Sequence, residues 1–174
     1  APGLTTALAA LDRAGVAHFG AGATETQAWA PAILTRQGRT VAFLGCTSVT
    51  GEDHPIPYVA AADRPGAAKC TEPRLAQAVS QARTRADEVV VMIHGGVEYD
   101  RTMTPAVLRL MQIAGRAGAG AVITAHPHVI GGVRGLDGVT YADSTGNLLF
   151  DQQLWATQLG YLLRVDLGAG HTAY

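Results

Sequence analysis

Two near-continuous apolar runs constrain this chain more than any other feature. EVVVMI, residues 88–93, and AVIT, residues 121–124, lack the apolar–polar alternation of a half-exposed strand. They read as strands covered on both faces, as in a parallel or mixed sheet flanked by helices. Between them lies AVLRLMQIAGRAG, preceded by Thr104 and Pro105, a good cap and first-turn pair. Strand, helix, strand in this order predicts a right-handed crossover with the two strands parallel and adjacent.

Upstream, TVAFLGC is apolar almost throughout, and Gln37-Gly38 turns it back on AWAPAILTR, predicting a hairpin. Leu4, Leu8 and Leu11 share one helical face, stopped by Gly15. VAHFG then predicts a short strand or turn. Residues 50–66, rich in Pro, Gly and Asp, predict a long loop. Thr71 caps a predicted helix through LAQAVSQARTRA that gathers Leu75, Ala78, Val79 and Ala82 on one side. GVTYADSTGNLLFD and GYLLRVDLG predict further strands. With 174 residues, 48% of them apolar, the chain suits a single domain, 1–174, with a sizeable core. The expected class is α/β: a layered mixed β-sheet with flanking helices.

Charge and composition exclude several functions. The net charge is −1, and twelve Arg and one Lys are spread thinly, so nucleic acid and anionic membrane surfaces are poor partners. No apolar run reaches the roughly 18 residues of a membrane span. APGLTTALAALDRAG lacks the basic start and apolar centre of a signal peptide, so the protein is cytosolic or its export segment lies outside this chain. GAGAT, residues 20–24, lacks the helix of a nucleotide cradle. Cys46 and Cys70 could pair in an exported protein or stand apart as buried thiols; the residue pattern slightly favours free thiols.

The chemistry sits after the two buried strands. His94 follows VVVMI; His126 and His128 follow AVIT with Pro127 between them. The carboxyl edge of parallel strands is where open α/β sheets bind ligands. Parallel neighbours would let the three imidazoles converge on a divalent cation, with zinc, iron and manganese poorly discriminated. Pro127 is expected to hold His126 extended, and Gly95 and Gly96 to let the backbone turn tightly. Glu98 is the best nearby carboxylate, placed to orient water or substrate; Asp100, Asp143 and Asp151 read as turn or solvated residues. Tyr99 and Asn147 are candidate substrate contacts, although Asn147 also suits its own turn. Arg101 reads as exposed, with an anionic substrate as its alternative. His18 reads as structural, His54 as a loop residue, His171 as exposed, and Trp29 and Trp155 as packing residues.

Taken in order, these blocks resemble the bacterial capsule-synthesis family CapA, also known as the poly-γ-glutamate biosynthesis PgsA type, of the calcineurin-like metallophosphoesterase superfamily. HGGVEY, GAGAVITAHPHV, DSTGNLLFDQ and TQLGYLLRVDL each match a family block, as do GLTTALAALDRAGVAHFGAG and GRTVAFLGCTSV. Departures fall at Gly95, Gly120, Thr124, Ala125, Asp143 and Leu148. His126 and His128 match the superfamily's His-x-His metal pair, and His94 its single-histidine ligand.

The resemblance implies a calcineurin-like fold and a metal-dependent hydrolase-type domain. Such a domain would act in synthesis, release or transport of an anionic cell-surface polymer such as poly-γ-glutamate. The alternative is a non-catalytic binding or scaffold subunit with a degenerate site. The implied cofactor is a divalent ion, Mn, Zn or Fe. The implied partners are an anionic polymer or phospho-substrate and membrane-bound capsule synthesis proteins. The family's Asn-Asn-His block and catalytic histidine would precede Ala1, so the chain is expected to be the carboxyl-terminal half of a longer protein, with the missing first half as a further partner. An upstream anchor would place it at the cell surface.

Overall fold

A computed structural model describes residues 2–52, 54–166 and 172–173. The elements, in chain order, are α1 (Pro2–Arg13), β1 (Ala21–Gly22), α2 (Glu25–Ala28), β2 (Ala32–Arg36), β3 (Arg39–Thr47), β4 (Gly66–Ala67), α3 (Glu72–Arg83), β5 (Glu88–His94), α4 (Pro105–Arg116), β6 (Ala121–Ala125), β7 (Val133–Leu136), β8 (Val139–Ala142), a 3-10 turn (Trp155–Gln158), β9 (Val165–Asp166) and β10 (Thr172–Ala173). Six strands form one sheet in the order β2-β3-β5-β6-β8-β7. Its four inner strands are parallel, and each edge strand is antiparallel to its neighbour. The fold is therefore α/β with a mixed sheet, as the apolar runs require. Two small ribbons, β1 with β4 and β9 with β10, lie outside this sheet.

Both edges are made by two-residue hairpins. Gln37 and Gly38, and again Asp137 and Gly138, have positive φ, the conformation whose twist matches paired strands. Within GVTYADSTGNLLFD, strand is confined to Val139–Ala142; residues 143–150 form only isolated bridges, and Ser144 Oγ accepts from Gly146 N in the turn read around Asn147. GYLLRVDLG is strand only at Val165–Asp166; residues 167 and 168 lie outside the described set. In place of a strand at VAHFG, pairing begins at Ala21.

The core follows from the period of two. Ala42, Leu44 and Cys46 of β3, Val89, Val91 and Ile93 of β5, and Val122 and Thr124 of β6 share one face in register. Against that face pack Leu75, Ala78, Val79 and Ala82 of α3, and Val107, Leu110, Met111 and Ala114 of α4. Thr104 caps α4 by accepting from Val107 N. Thr71 has the extended backbone of a cap but makes no side-chain bond; Pro73, with no N–H, removes one of its two possible donors. The opposite face carries Gly45, Met92 and His94, and Met92 is 40% exposed.

The preference for free thiols is overturned. Thr47 N donates to Ala68 O at 2.8 Å, and Cys70 N donates to Thr47 O at 2.9 Å. These bonds bring the Cα atoms of Cys46 and Cys70 to 5.1 Å, inside bridging range, and the two are joined. Trp29 is buried as expected, with the Arg74 guanidinium over its ring, whereas Trp155 is 70% exposed because the 3-10 turn carries it outward. No helix among the described residues is long and apolar enough to cross a membrane.

The bridge closes a loop across a sequence separation of 24, so Cys70→Ala should lower the unfolding free energy by about 3 kcal/mol. Urea denaturation with and without reductant checks this: reduction should lower the wild-type midpoint and leave the variant's midpoint in place.

Candidate metal centre

The parallel register lines up three strand ends. Thr47 stands opposite His94, and His94 opposite Ala125. Ser48 N donates to His94 O, and Gly95 N to Ala125 O, both at 2.9 Å, so the ladder continues one step past the strands. A cleft of about 800 Å³ opens on this edge. Phe19, Val49, Tyr58 and Met92 make its apolar wall; His94, Glu98, His126 and His128 make its polar one. Gly20 and Gly45 pass each other closely here: a Cβ on Gly20 would meet Gly45 Cα at 3.2 Å. The cleft wall therefore has backbone where a side chain would fill it.

Among the described residues, Glu98, His126 and His128 can each offer a donor atom, all within 4.8 Å of one another. His94 stands beside this group, its ring centroid 4.8 Å from that of His126. The rings of His126 and His128 are 6.3 Å apart. The three expected histidines thus meet in one cleft, and Glu98, expected to contact substrate, stands with the donors. Two imidazoles and a carboxylate suit zinc, iron or manganese, so the residues present fit a divalent cation.

Pro127 does not hold His126 extended. His126 has φ 119° and His128 φ 60°, both in the region L residues avoid. The backbone turns there so that Pro127 O can accept from Tyr99 N at 2.8 Å, which ties the Glu98 loop to the His126 loop. Tyr99 itself has φ 67°. Its hydroxyl meets Gln152 Nε2 at 3.5 Å, outside the cleft lining. A run of positive φ at non-glycine residues marks backbone held against its preference, a pattern found at functional sites.

Asn147 lies against His128, Oδ1 to Nδ1 at 2.9 Å. Its amide nitrogen is taken by Thr157 O at 2.9 Å and Gln152 Oε1 at 3.3 Å, so both amide hydrogens are engaged and none remains to donate to substrate. Asp100 accepts from Thr102 N in a turn, Asp143 pairs with Arg134 at 2.6 Å, and Asp151 and Arg101 are exposed. His18 pairs with Asp12 at 3.0 Å. His54 packs on Tyr58, while Tyr58 itself reaches the cleft. His171 lies outside the described residues. Tyr58 carried no signal in the sequence, because only the folded loop shows where it points.

Residues 1–152 match the family described as bacterial capsule synthesis protein PGA_cap. The chain is 32% identical over 130 residues to the PGA biosynthesis protein CapA of Bacillus subtilis (strain 168), covering 75% of this chain and 33% of that protein. It is 30% identical over 119 residues to the capsule biosynthesis protein CapA of Bacillus anthracis, covering 66% of this chain and 29% of that one. The chain thus spans about a third of the length of these curated relatives. Among solved structures, the sulfate thiohydrolase SoxB of Thermus thermophilus aligns with TM-score 0.45 and 20% identity over 67% of this chain and 20% of that chain. A likeness that low bears on neither chemistry nor ligand.

Burial, followed by the neighbouring His126 and His128, holds the His94 imidazole below the ordinary histidine range. The unfolded chain takes up this proton at higher pH than the folded one. The stability tied to neutral His94 is present above the ordinary histidine value and is lost as pH falls through the lower folded value. Chelator-treated protein should therefore lose thermal midpoint between about pH 7 and about pH 5, and His94→Gln should lose less over the same interval. Calorimetric melts at the two pH values check this.

Proposed function

Because this chain belongs to the bacterial capsule synthesis family PGA_cap, we propose that it is the carboxyl-terminal portion of a CapA-like, metal-dependent hydrolase-type domain. The domain acts in synthesis, release or transport of an anionic surface polymer such as poly-γ-glutamate. The observation that carries this reading is the gathering of Glu98, His126 and His128 at the carboxyl edge of parallel strands. These three residues would hold a divalent ion, Mn, Zn or Fe, with His94 flanking it. A bound ion of this kind supplies Lewis acidity toward a phosphoryl or amide oxygen and toward water.

The chain's own residues prepare that edge. Neutral His94 keeps a lone pair at neutral pH, because burial and two like neighbours disfavour its charge. Phe19, Val49 and Met92 give one wall of the cleft an apolar surface, beside which an electrostatic contact is screened less than in open water. The Tyr99 N–H to Pro127 O bond holds the Glu98 and His126 loops at a fixed separation.

Partners that suit this reading are an anionic polymer or phospho-substrate, membrane-bound capsule synthesis proteins, and a first half of the same protein. Met92, Leu148 and Leu162, 40%, 90% and 84% exposed, offer an apolar surface for the last of these. The Cys46–Cys70 bridge supports an oxidising compartment and hence the cell surface.

One observation favours a second reading, a non-catalytic scaffold. Glu98 is the one acidic side chain lining the cleft among the described residues; counted as a ligand of one ion, it leaves no second carboxylate in the cleft for the second ion of a two-metal hydrolase.

Manganese or zinc titrated calorimetrically into the chain should bind tightly, and His126→Ala should abolish that binding. Unchanged metal content in His126→Ala, by elemental analysis, would remove the ligand assignment. Turnover of poly-γ-glutamate or a generic phosphodiester by the protein with manganese separates the enzyme from the scaffold, which binds polymer without cleaving it.

A further inference from the structure

We propose that Asn147 is a positioning residue that fixes which nitrogen of His128 faces the cation; this rests on the cation reading above. The contact between Asn147 Oδ1 and His128 Nδ1, 2.9 Å, by itself leaves both amide orientations and both imidazole tautomers open. The other end of the amide closes the choice. Its second polar atom lies 2.9 Å from the main-chain oxygen of Thr157, and a carbonyl can only accept. The amide nitrogen therefore faces Thr157, and the amide oxygen faces His128. An oxygen that can only accept requires a hydrogen on His128 Nδ1. The lone pair of the neutral ring is then at Nε2.

The anchor is firm. Thr157 is 1% exposed, and its hydroxyl donates to Leu154 O at 2.7 Å, closing the 3-10 turn that presents the carbonyl. Gln152 Oε1 takes the second amide hydrogen. Phe150 packs beside the imidazole, ring centroids 5.1 Å apart. Asn147 is 19 residues from His128 in sequence, so this hold links the strand-edge loop to the segment after β8.

Histidine ligands commonly donate their other N–H to such an acceptor, which fixes the tautomer and raises basicity toward the ion. Asn147 does this without adding charge. A carboxylate in its place would add one. The role replaces the expected donation to substrate, for which Asn147 has no hydrogen left.

Long-range nitrogen–proton NMR on the metal-free chain, labelled at histidine, reads the tautomer directly. His128 should be the Nδ1–H form in the wild type and a mixture in Asn147→Ala. In zinc titrations Asn147→Ala should bind roughly 10–100-fold more weakly. An Nε2–H His128 in the wild type overturns the proposal. So does wild-type zinc affinity in Asn147→Ala while His126→Ala loses it. Wild-type protein that shows the Nδ1–H form but takes up no zinc overturns the cation reading alone and leaves the hold of Asn147 on His128 standing. The wild-type measurement needs no variant, so it decides the matter even if Asn147→Ala fails to fold.

Discussion

The parallel ladder that sets Thr47, His94 and Ala125 side by side governs where every candidate functional group can stand. Side chains alternate faces along a strand, so a slip of one residue would turn His94 into the helix layer and bring Ile93 out. That slip is opposed by the apolar row Leu44, Val91 and Val122, whose members are 1%, 0% and 0% exposed against α3 and α4. Burial of that row, worth about 1.5–3 kcal/mol per large side chain, holds the register. The same register sends the three following loops out at one edge. The core thus positions the site.

Beyond the strand ends, the backbone is held where it would not rest. His126, His128 and Tyr99 all carry positive φ, and such residues cost on the order of 1–3 kcal/mol each unless their surroundings enforce them. The enforcing bonds can be named. Gly95 N reaches Ala125 O, Tyr99 N reaches Pro127 O, and Asn147 takes hold of His128. At Gly95 a Cβ would lie 2.1 Å from Ser48 Oγ, so a larger residue there requires the Ser48 hydroxyl to turn away. A loop that only had to connect strand to strand would have relaxed. This one is fixed from three sides, and its two imidazoles face a common carboxylate.

Sequence made the layers legible because the relevant signals are local. The apolar runs at 88–93 and 121–124, the Thr104-Pro105 cap and the Gln37-Gly38 turn each act within a few residues. The histidine positions were legible for the same reason, as strand ends. The β7–β8 hairpin went unread, although Asp137-Gly138 is a strong turn signal, because Val133–Leu136 lies wholly exposed at the sheet edge and shows no apolar alternation. Asn147 could be placed in a turn but not against His128, since that contact depends on a carbonyl ten residues further on. The disulfide was illegible too. Cysteine spacing says nothing about the two backbone bonds at Thr47 that bring its sulfurs together.

Those two bonds and the bridge connect the compartment to the cleft. Residues 48–69 leave the end of β3 and return to it, clamped by the Cys46–Cys70 bond at the point where they rejoin. Cys46 and Thr47 line the cleft at one side of this loop, and Tyr58, near its middle, lines the other. Tyr58 N donates to Thr50 O and Tyr58 O accepts from Ala67 N, so the ring is placed by the loop's own backbone and not by the core. The large apolar side chains of this long segment are few, Val49, Ile56, Tyr58 and Val59, and Ile56 and Tyr58 are 55% and 46% exposed. The covalent clamp compensates for that deficit. Its stability, and the Tyr58 wall of the cleft with it, is therefore tied to an oxidising environment in a way that the histidine edge, held by the core register, is not.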